Sequence, residues 1–258
     1  MTGFRPLLVR GTPLGNGVDP AVCLPLLASD SGALETEIRG LVALQPDIIE
    51  WRADYFDGRG STDSILSAAA RLRAAAGEMP LIFTLRSKGE GGATGGYEPS
   101  EATGLLEQVA RSRILEFVDV ELSLPSLCVK TVIDAARESG VQVILSSHHF
   151  GGTPSDTEMM SVLCRAAAMG ADVAKLAVIP KSVSDVVALL AVTERAHREL
   201  SLPLVTMAMG PLGVVTRVFG GTFGSAMTFA VGSRGSASGQ LPLKALREIF
   251  DSLRQLEK

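Results

Sequence analysis

The chain is short of several features, and each absence narrows what it can be. Among its 258 residues there are 3 cysteines. Cys23, Cys128 and Cys164 are odd in number and widely spaced, which fits neither a disulfide framework nor a zinc site. No HExxH, close His/Cys cluster or carboxylate-rich calcium loop is present, so no metal is expected. Apolar residues make up 46% of the chain, but no run approaches the ~18–20 residues of a membrane span. There is no Lys/Arg run and the net charge is −4, which leaves nothing to neutralise a series of phosphates and excludes nucleic acid as a partner. The N-terminal MTGFRPLLVRGTPLGNG lacks a basic-then-apolar signal with a small-residue cleavage site, so a cytoplasmic protein is expected.

What is present is a rhythm. Short β-branched runs begin at Ala21 (AVCLPLLA), Asp47 (DIIEWRAD), Pro80 (PLIFTLR), Phe117 (FVDVEL), Val141 (VQVILSSHHF), Val173 (VAKLAVIP), Leu202 (LPLVTMAMG) and Ala226 (AMTFAVGS). Segments of helical period separate them. In SVSDVVALLAVTERAHREL the residues Val183, Val186, Val187, Leu190 and Thr193 fall on one predicted buried face, with Ser182 and Ser184 as N-cap candidates and Asp185 in the first turn. Apolar strands alternating with helices imply a parallel sheet covered by helices. Eight such units predict an α/β fold of the (β/α)8 TIM-barrel type over residues 1–258, as one domain. An open dinucleotide-binding sheet would want G-x-G-x-x-G after its first strand, where the chain has ASDSGALET. The segment LLVRGTPLGNG reads as a hairpin, with Arg10-Gly11-Thr12-Pro13 as its connection, closing the barrel bottom.

In such a barrel the chemistry lies at the C-terminal ends of the strands. Glu50, Arg52 and Asp54 alternate along the second strand and face one way. Arg86, Asp119, Glu121 and the pair His148-His149 end other strands, and Met207 and Met209 read as pocket lining. Lys175 stands among Val, Ala, Leu and Ile in a central strand, where a lysine is rare unless paired or functional. Burial disfavours an ammonium, and the resulting amine can attack a carbonyl. The alternative reading is a buried ion pair with Glu50 or Asp119. A histidine beside that amine is a candidate general acid/base, whereas His197 reads as an ordinary surface histidine. Arg52, Arg86 and Arg217 suit an anionic substrate. Of two Gly-rich loops, SKGEGGATGGYEPSE lacks a P-loop's Gly-Lys-Ser/Thr and reads as a flexible lid, and GSRGSASGQ offers Ser236 and Gln240 to carboxylate or hydroxyls.

Taken in order, IIEWRAD, FTLRSKGEGG, VDVEL, ILSSHHF, AKLAVIP, TMAMGPLGVVTR, FGSAMTFA and SASGQ resemble the type I 3-dehydroquinate dehydratases from the first strand to the last helix. The resemblance implies a cofactor-free lyase of the shikimate pathway, converting 3-dehydroquinate to 3-dehydroshikimate and water, and a homodimer. It implies that Lys175 forms an imine with the ring ketone, that His148 moves the protons, and that Glu50 orients His148. Arg52, Arg86, Arg217, Ser236 and Gln240 would hold substrate oxygens, with Arg217 on the carboxylate. Three positions depart from the family's pattern: His149 in place of a common Asp, Thr216 before Arg217 in place of Ser, and Ala28 where strand one usually ends in Gly. Strand alternation puts His148 on the side of Ser146 and sends His149 to the other, which selects His148. Two other readings of the residues are a class I Schiff-base aldolase, which shares the lysine, and a barrel that binds a quinate-like effector without turnover.

Overall fold

The computed structural model describes residues 4–15, 19–93 and 97–255. A short antiparallel hairpin, β1 (Leu7–Val9) and β2 (Thr12–Leu14), precedes eight parallel strands. These are β3 (Ala21–Leu26), β4 (Ile48–Arg52), β5 (Leu81–Thr84), β6 (Phe117–Glu121), β7 (Gln142–His149), β8 (Val173–Val178), β9 (Leu204–Ala208) and β10 (Met227–Phe229). They neighbour one another in the order β10-β3-β4-β5-β6-β7-β8-β9. The two ends of that sheet meet where Leu204 bridges Ser225 and the Ala226 amide donates to the Leu204 carbonyl at 2.6 Å. The result is a nearly closed (β/α)8 barrel, with every strand where the β-branched runs place it.

Helices α1 (Ser31–Ala43), α2 (Thr62–Ala76), α3 (Pro99–Ser112), α4 (Ser126–Ser139), α5 (Asp156–Met169), α6 (Val183–Glu199), α7 (Val214–Phe219) and α8 (Leu243–Gln255) follow the strands. Outward strand residues such as Ile49, Trp51, Phe83, Val118 and Leu176 pack beneath them. Trp51, fully buried, meets Phe83 edge-on at 5.4 Å and Phe56 at 5.8 Å. Inward residues change character along each strand. At the N-terminal end Cys23, Ile48, Ile82, Phe117, Ile144 and Val173 form an apolar plug with Leu14 of the hairpin, so the hairpin closes the bottom by burying a leucine there. Two residues further up, the same inward rows present Glu50, Thr84, Asp119, Ser146 and Lys175, all buried. Apolar below and ionic above, the barrel interior points to its own functional end.

Two local expectations need correction. The hairpin connection is Arg10-Gly11 alone, since Thr12 and Pro13 already pair with Val9 and Leu8. Both turn residues have positive φ, 47° and 80°, as a two-residue turn matched to strand twist requires. On α6 the face that meets the barrel is Val186, Leu189, Leu190, Thr193 and Ala196. Val187 lies on its margin and Val183 in the first turn, and they are 59% and 67% exposed. Ser182 is the N-cap, exchanging hydrogen bonds with Asp185, and Ser184 lies inside the helix.

Candidate active site

Residues of five strands, together with the segments that follow strands β5, β7, β9 and β10, line one pocket at the C-terminal end of the barrel. It is open to solvent on one side and is bounded by Glu50, Arg52, Arg86, Glu90, Gly91, His148, Phe150, Lys175, Ala177, Met207, Met209, Arg217, Phe229, Ser236, Ala237 and Gln240. Every residue singled out from sequence as catalytic or substrate-binding is on this wall, and their interactions sort them by what each is free to do.

Lys175, in the middle of β8, is 5% exposed, and its Nζ lies 4.9 Å from the centre of the Phe229 ring. It is not a lone amine among apolar neighbours. Nζ donates to Asp119 Oδ2 at 2.9 Å and to Glu50 Oε1 at 3.4 Å, so the ion pairing weighed against a catalytic role is present with both carboxylates. Asp119 also receives Arg86 at 2.9 Å and the Ser146 hydroxyl at 2.6 Å. Burial works against its charge, but Arg86, Lys175 and His148 overcome it and hold Asp119 well below the usual carboxylate range.

The residue expected to orient His148 is a different one. Glu50 accepts from Thr84 Oγ1 at 2.9 Å and from Lys175, and the carboxylate on His148 is Glu90. Glu90 Oε2 lies 2.8 Å from His148 Nδ1 and also accepts the His148 backbone N–H at 3.1 Å. An oxygen already accepting one N–H is best matched by Nδ1–H as the second donor, which leaves the Nε2 lone pair for a substrate proton. Glu90 lies in the first Gly-rich loop, read from sequence as a flexible lid. Its first part is instead a compact turn, Lys88–Glu90, that buries the glutamate to 7% exposure. The available signal was an acidic residue four positions after Arg86, directly above a strand end.

Burial, then the cations Arg86 and Lys175, push the His148 imidazolium well below its ordinary pKa. Burial, then the charge of Glu121, push Glu90 up to about 7. The two titrate as a unit. Below that pH the pair keeps an extra proton; above it, Glu90 is a carboxylate holding a neutral imidazole with Nε2 free. The rate of any step needing His148 as base is therefore expected to rise as pH increases through about 7, and Glu90→Gln to remove that limb. Measuring kcat against pH for both proteins checks it, and an unchanged limb in the variant would refute the assignment.

The three arginines differ sharply. Arg52 is matched by Asp54 through two hydrogen bonds of 2.8 Å. Arg86 is matched by Asp119 at 2.9 Å and Glu121 at 3.1 Å, with Ser146 at 3.0 Å; against the opposing effect of burial, these carboxylates raise its pKa. Arg217, on α7, is 1% exposed and has no carboxylate partner among the described residues. Its Nη atoms reach only Met207 Sδ at 3.7 Å and the Ser238 carbonyl at 3.4 Å, and its Nε is unpartnered. Burial lowers its pKa to about 10. A buried cation without a counter-ion is costly unless a ligand supplies one.

Ser236 and Gln240 close the far wall and bond each other, Gln240 Oε1 accepting the Ser236 amide at 2.9 Å and Gln240 Nε2 donating to Ser236 Oγ at 3.1 Å. Met207 and Met209 line the pocket beside Arg217. Thr216 uses its hydroxyl structurally, accepting the Ala208 amide at 2.9 Å and donating to the Gly213 carbonyl at 2.7 Å. Ala28 is 3% exposed and lies outside this pocket. His149 points away from it, with Nε2 at 3.2 Å from Ser147 Oγ. His197 is no ordinary surface histidine: it is half-buried, edge-on to Phe4 at 5.0 Å. No group of three or more His, Cys, Asp or Glu among the described residues could hold a metal ion.

A nearly closed parallel barrel with an amine, an imidazole–carboxylate pair and an uncompensated arginine around one small pocket defines an α/β-barrel enzyme for a small acidic molecule. Comparison with known proteins makes this specific. The family model for type I 3-dehydroquinase matches residues 22–257. The 3-dehydroquinate dehydratase of Geobacillus thermodenitrificans is 42% identical over 94% of this chain and 93% of its own. That of Albidiferax ferrireducens is 36% identical over 99% and 97%. The crystal structure of the Geobacillus kaustophilus 3-dehydroquinate dehydratase superposes with a TM-score of 0.95 at 39% identity, covering 98% of both chains. A Clostridium difficile type I enzyme with covalently modified comenic acid superposes at 0.93 and 32% identity, again covering 98% of both. The chain belongs to the type I 3-dehydroquinase family. Its activity is that of a dehydratase, a lyase acting on 3-dehydroquinate.

Proposed function

We propose that dehydration proceeds through a Schiff base on Lys175, with His148 moving the protons. The observation that carries this reading is the convergence of Lys175 and the Glu90-held His148 on the pocket that contains the unmatched Arg217. The substrate carboxylate pairs with Arg217, whose planar fork suits it, and Ser236 and Gln240 take carboxylate or hydroxyl oxygens. Carboxylate capture brings the ring ketone to Nζ. The attacking form of Nζ is the amine, and Glu50 at 3.4 Å and Asp119 at 2.9 Å are the carboxylates within reach of its proton.

Nζ adds to the ketone carbon, and loss of the former ketone oxygen as water gives an iminium. That electron sink acidifies the neighbouring C–H, and His148 Nε2 takes the proton. The electron pair forms the new C=C as the β-hydroxyl leaves, protonated by the same imidazolium. Water then hydrolyses the product imine, returning the amine and 3-dehydroshikimate, so one water is lost overall. Arg52 and Arg86, already matched by carboxylates, offer their remaining N–H groups to hydroxyls and not a charge to the carboxylate. The covalently modified ligand in the Clostridium difficile relative supports a covalent route.

Purified protein mixed with 3-dehydroquinate should produce 3-dehydroshikimate, read by the ultraviolet absorbance of its conjugated enone. Absence of product from folded protein would sink the reading. Arg217→Met should lower kcat/KM by about 10²–10³-fold, the cost of one partner of a buried charge pair. Because it also removes an uncompensated buried cation, the free variant should melt no lower than the parent. A large fall in melting temperature with intact kcat/KM would show Arg217 to be structural.

We further place this activity in the shikimate pathway, in the cytoplasm, where the free cysteines Cys23, Cys128 and Cys164 stay reduced, and in a homodimer. The exposed apolar residues of α6, of α7 and of the turn Pro211–Gly213 before it, with Val183, Val187, Leu212, Val215 and Phe219 each 42–67% exposed, are of the kind that supports pairing. No helix among the described residues is long and apolar enough to cross a membrane. Sedimentation at micromolar concentration tests the dimer, and a monomer there would refute it.

A further inference from the structure

Two buried carboxylates that take no part in the proton transfers each do two things at once. Asp54, 1% exposed, accepts Arg52 Nε on Oδ1 and Arg52 Nη2 on Oδ2, both at 2.8 Å, and Oδ2 also accepts the backbone N–H of Ala93 at 2.9 Å. Arg52 Nη2 in turn reaches the Gly91 carbonyl at 3.4 Å. On the opposite side, Glu121, 5% exposed, accepts Arg86 Nη1 at 3.1 Å and the backbone N–H of Ser87 at 2.8 Å. Ser87 and Ala93 bracket the segment that carries Glu90. Within it the Ser87 carbonyl accepts the amides of Glu90 at 3.1 Å and Gly92 at 2.8 Å. A Cβ at Gly92 would run into the Arg86 carbonyl, so glycine here permits a tight fold-back.

We propose that Asp54, with Glu121 opposite it, is a positioning residue for the dehydration: the two carboxylates clasp segment 87–93 at its ends and so hold Glu90 against His148. The assignment rests on the Glu90–His148 reading above. The clasp matters because glycine-rich backbone has the most conformational freedom to lose, and displacing a catalytic group by about 1 Å costs on the order of 10²-fold. It also explains why two pocket arginines are charge-matched by the protein itself. Each pair ties a substrate-facing guanidinium to one end of the loop.

Asp54→Ala removes both acceptor oxygens, so the tie to the Ala93 N–H is lost together with the pairing to Arg52. Ala93→Pro deletes the loop's N–H while leaving Asp54 and Arg52 in place. Each variant is expected to lower kcat about 10- to 100-fold, with a smaller change in KM and a displaced or lost pH limb. Because both remove the Ala93–Asp54 contact, the double variant should be no worse than the more severe single, a non-additivity that independent effects would not give. The experiment is kcat and KM against pH for Asp54→Ala, Ala93→Pro, the double variant and Glu90→Gln, with circular dichroism confirming the fold. A rise in KM alone, multiplicative effects in the double variant, or an Ala93→Pro protein with parental kcat and pH profile would overturn the clasp. Glu90→Gln separates the two levels: parental activity there overturns the Glu90–His148 reading itself, whereas an impaired Glu90→Gln beside an unimpaired Ala93→Pro overturns the clasp alone.

Discussion

Lys175→Ala is expected to lower kcat on 3-dehydroquinate by on the order of 10⁴-fold or more, the scale at which a covalent nucleophile's loss is felt. No other lysine among the described residues lines the pocket, so none of them can take over. The fold should survive the change at a cost. Removing Nζ leaves Asp119 with Arg86 and Ser146, and Glu50 with Thr84 alone. Breaking a buried ion pair from one side costs about 3–5 kcal/mol, so the melting temperature should fall while circular dichroism at room temperature stays native. Enzyme assay and melting curve together distinguish loss of chemistry from loss of structure. A folded variant with turnover within tenfold of the parent would contradict the covalent mechanism.

His148→Ala is expected to cost about 10²–10⁴-fold in kcat, the usual worth of a positioned general base, but to fail at a different step. Lys175 and Arg217 remain, so the imine still forms, and its conversion is what stalls. Mass spectrometry of the variant after mixing with substrate and a reducing agent should show more substrate-derived adduct than the parent does. His149→Ala serves as the control. Its ring contacts Ser147 outside the pocket, and its kcat should stay within a few-fold of parental. If His149→Ala were the inactive protein, the parity argument from β7 would be wrong.

That parity argument shows which features were legible in the sequence. A strand's period of two is fixed by backbone geometry, so the choice between adjacent histidines could be made without coordinates. So could the inward placement of Glu50, Asp119, Ser146 and Lys175, and the apolar plug below them. Partner choice was less legible. Glu90 lies 58 residues from His148 in sequence and on a loop, where no period constrains direction; a Gly-rich stretch looked mobile because its buried anchors lie elsewhere in the chain, Asp54 in the turn after β4 and Glu121 at the end of β6. Charge matching failed for the same reason. Arg52, Arg86 and Arg217 are alike in composition and separate only when their carboxylates, or the lack of one, are seen in space. On α6 the apolar period was right, but the edge of the buried stripe depends on how far the helix extends past the barrel rim.

The central claim is that Lys175 bonds covalently to the substrate, and the most direct measurement is reductive trapping. The protein is mixed with 3-dehydroquinate, borohydride is added, and the digested chain is mapped by mass spectrometry. The account predicts a reduced substrate or product adduct on Lys175, absent without substrate and absent from Lys175→Ala. An adduct on another residue, or unmodified protein that nonetheless forms 3-dehydroshikimate under the same conditions, would contradict it.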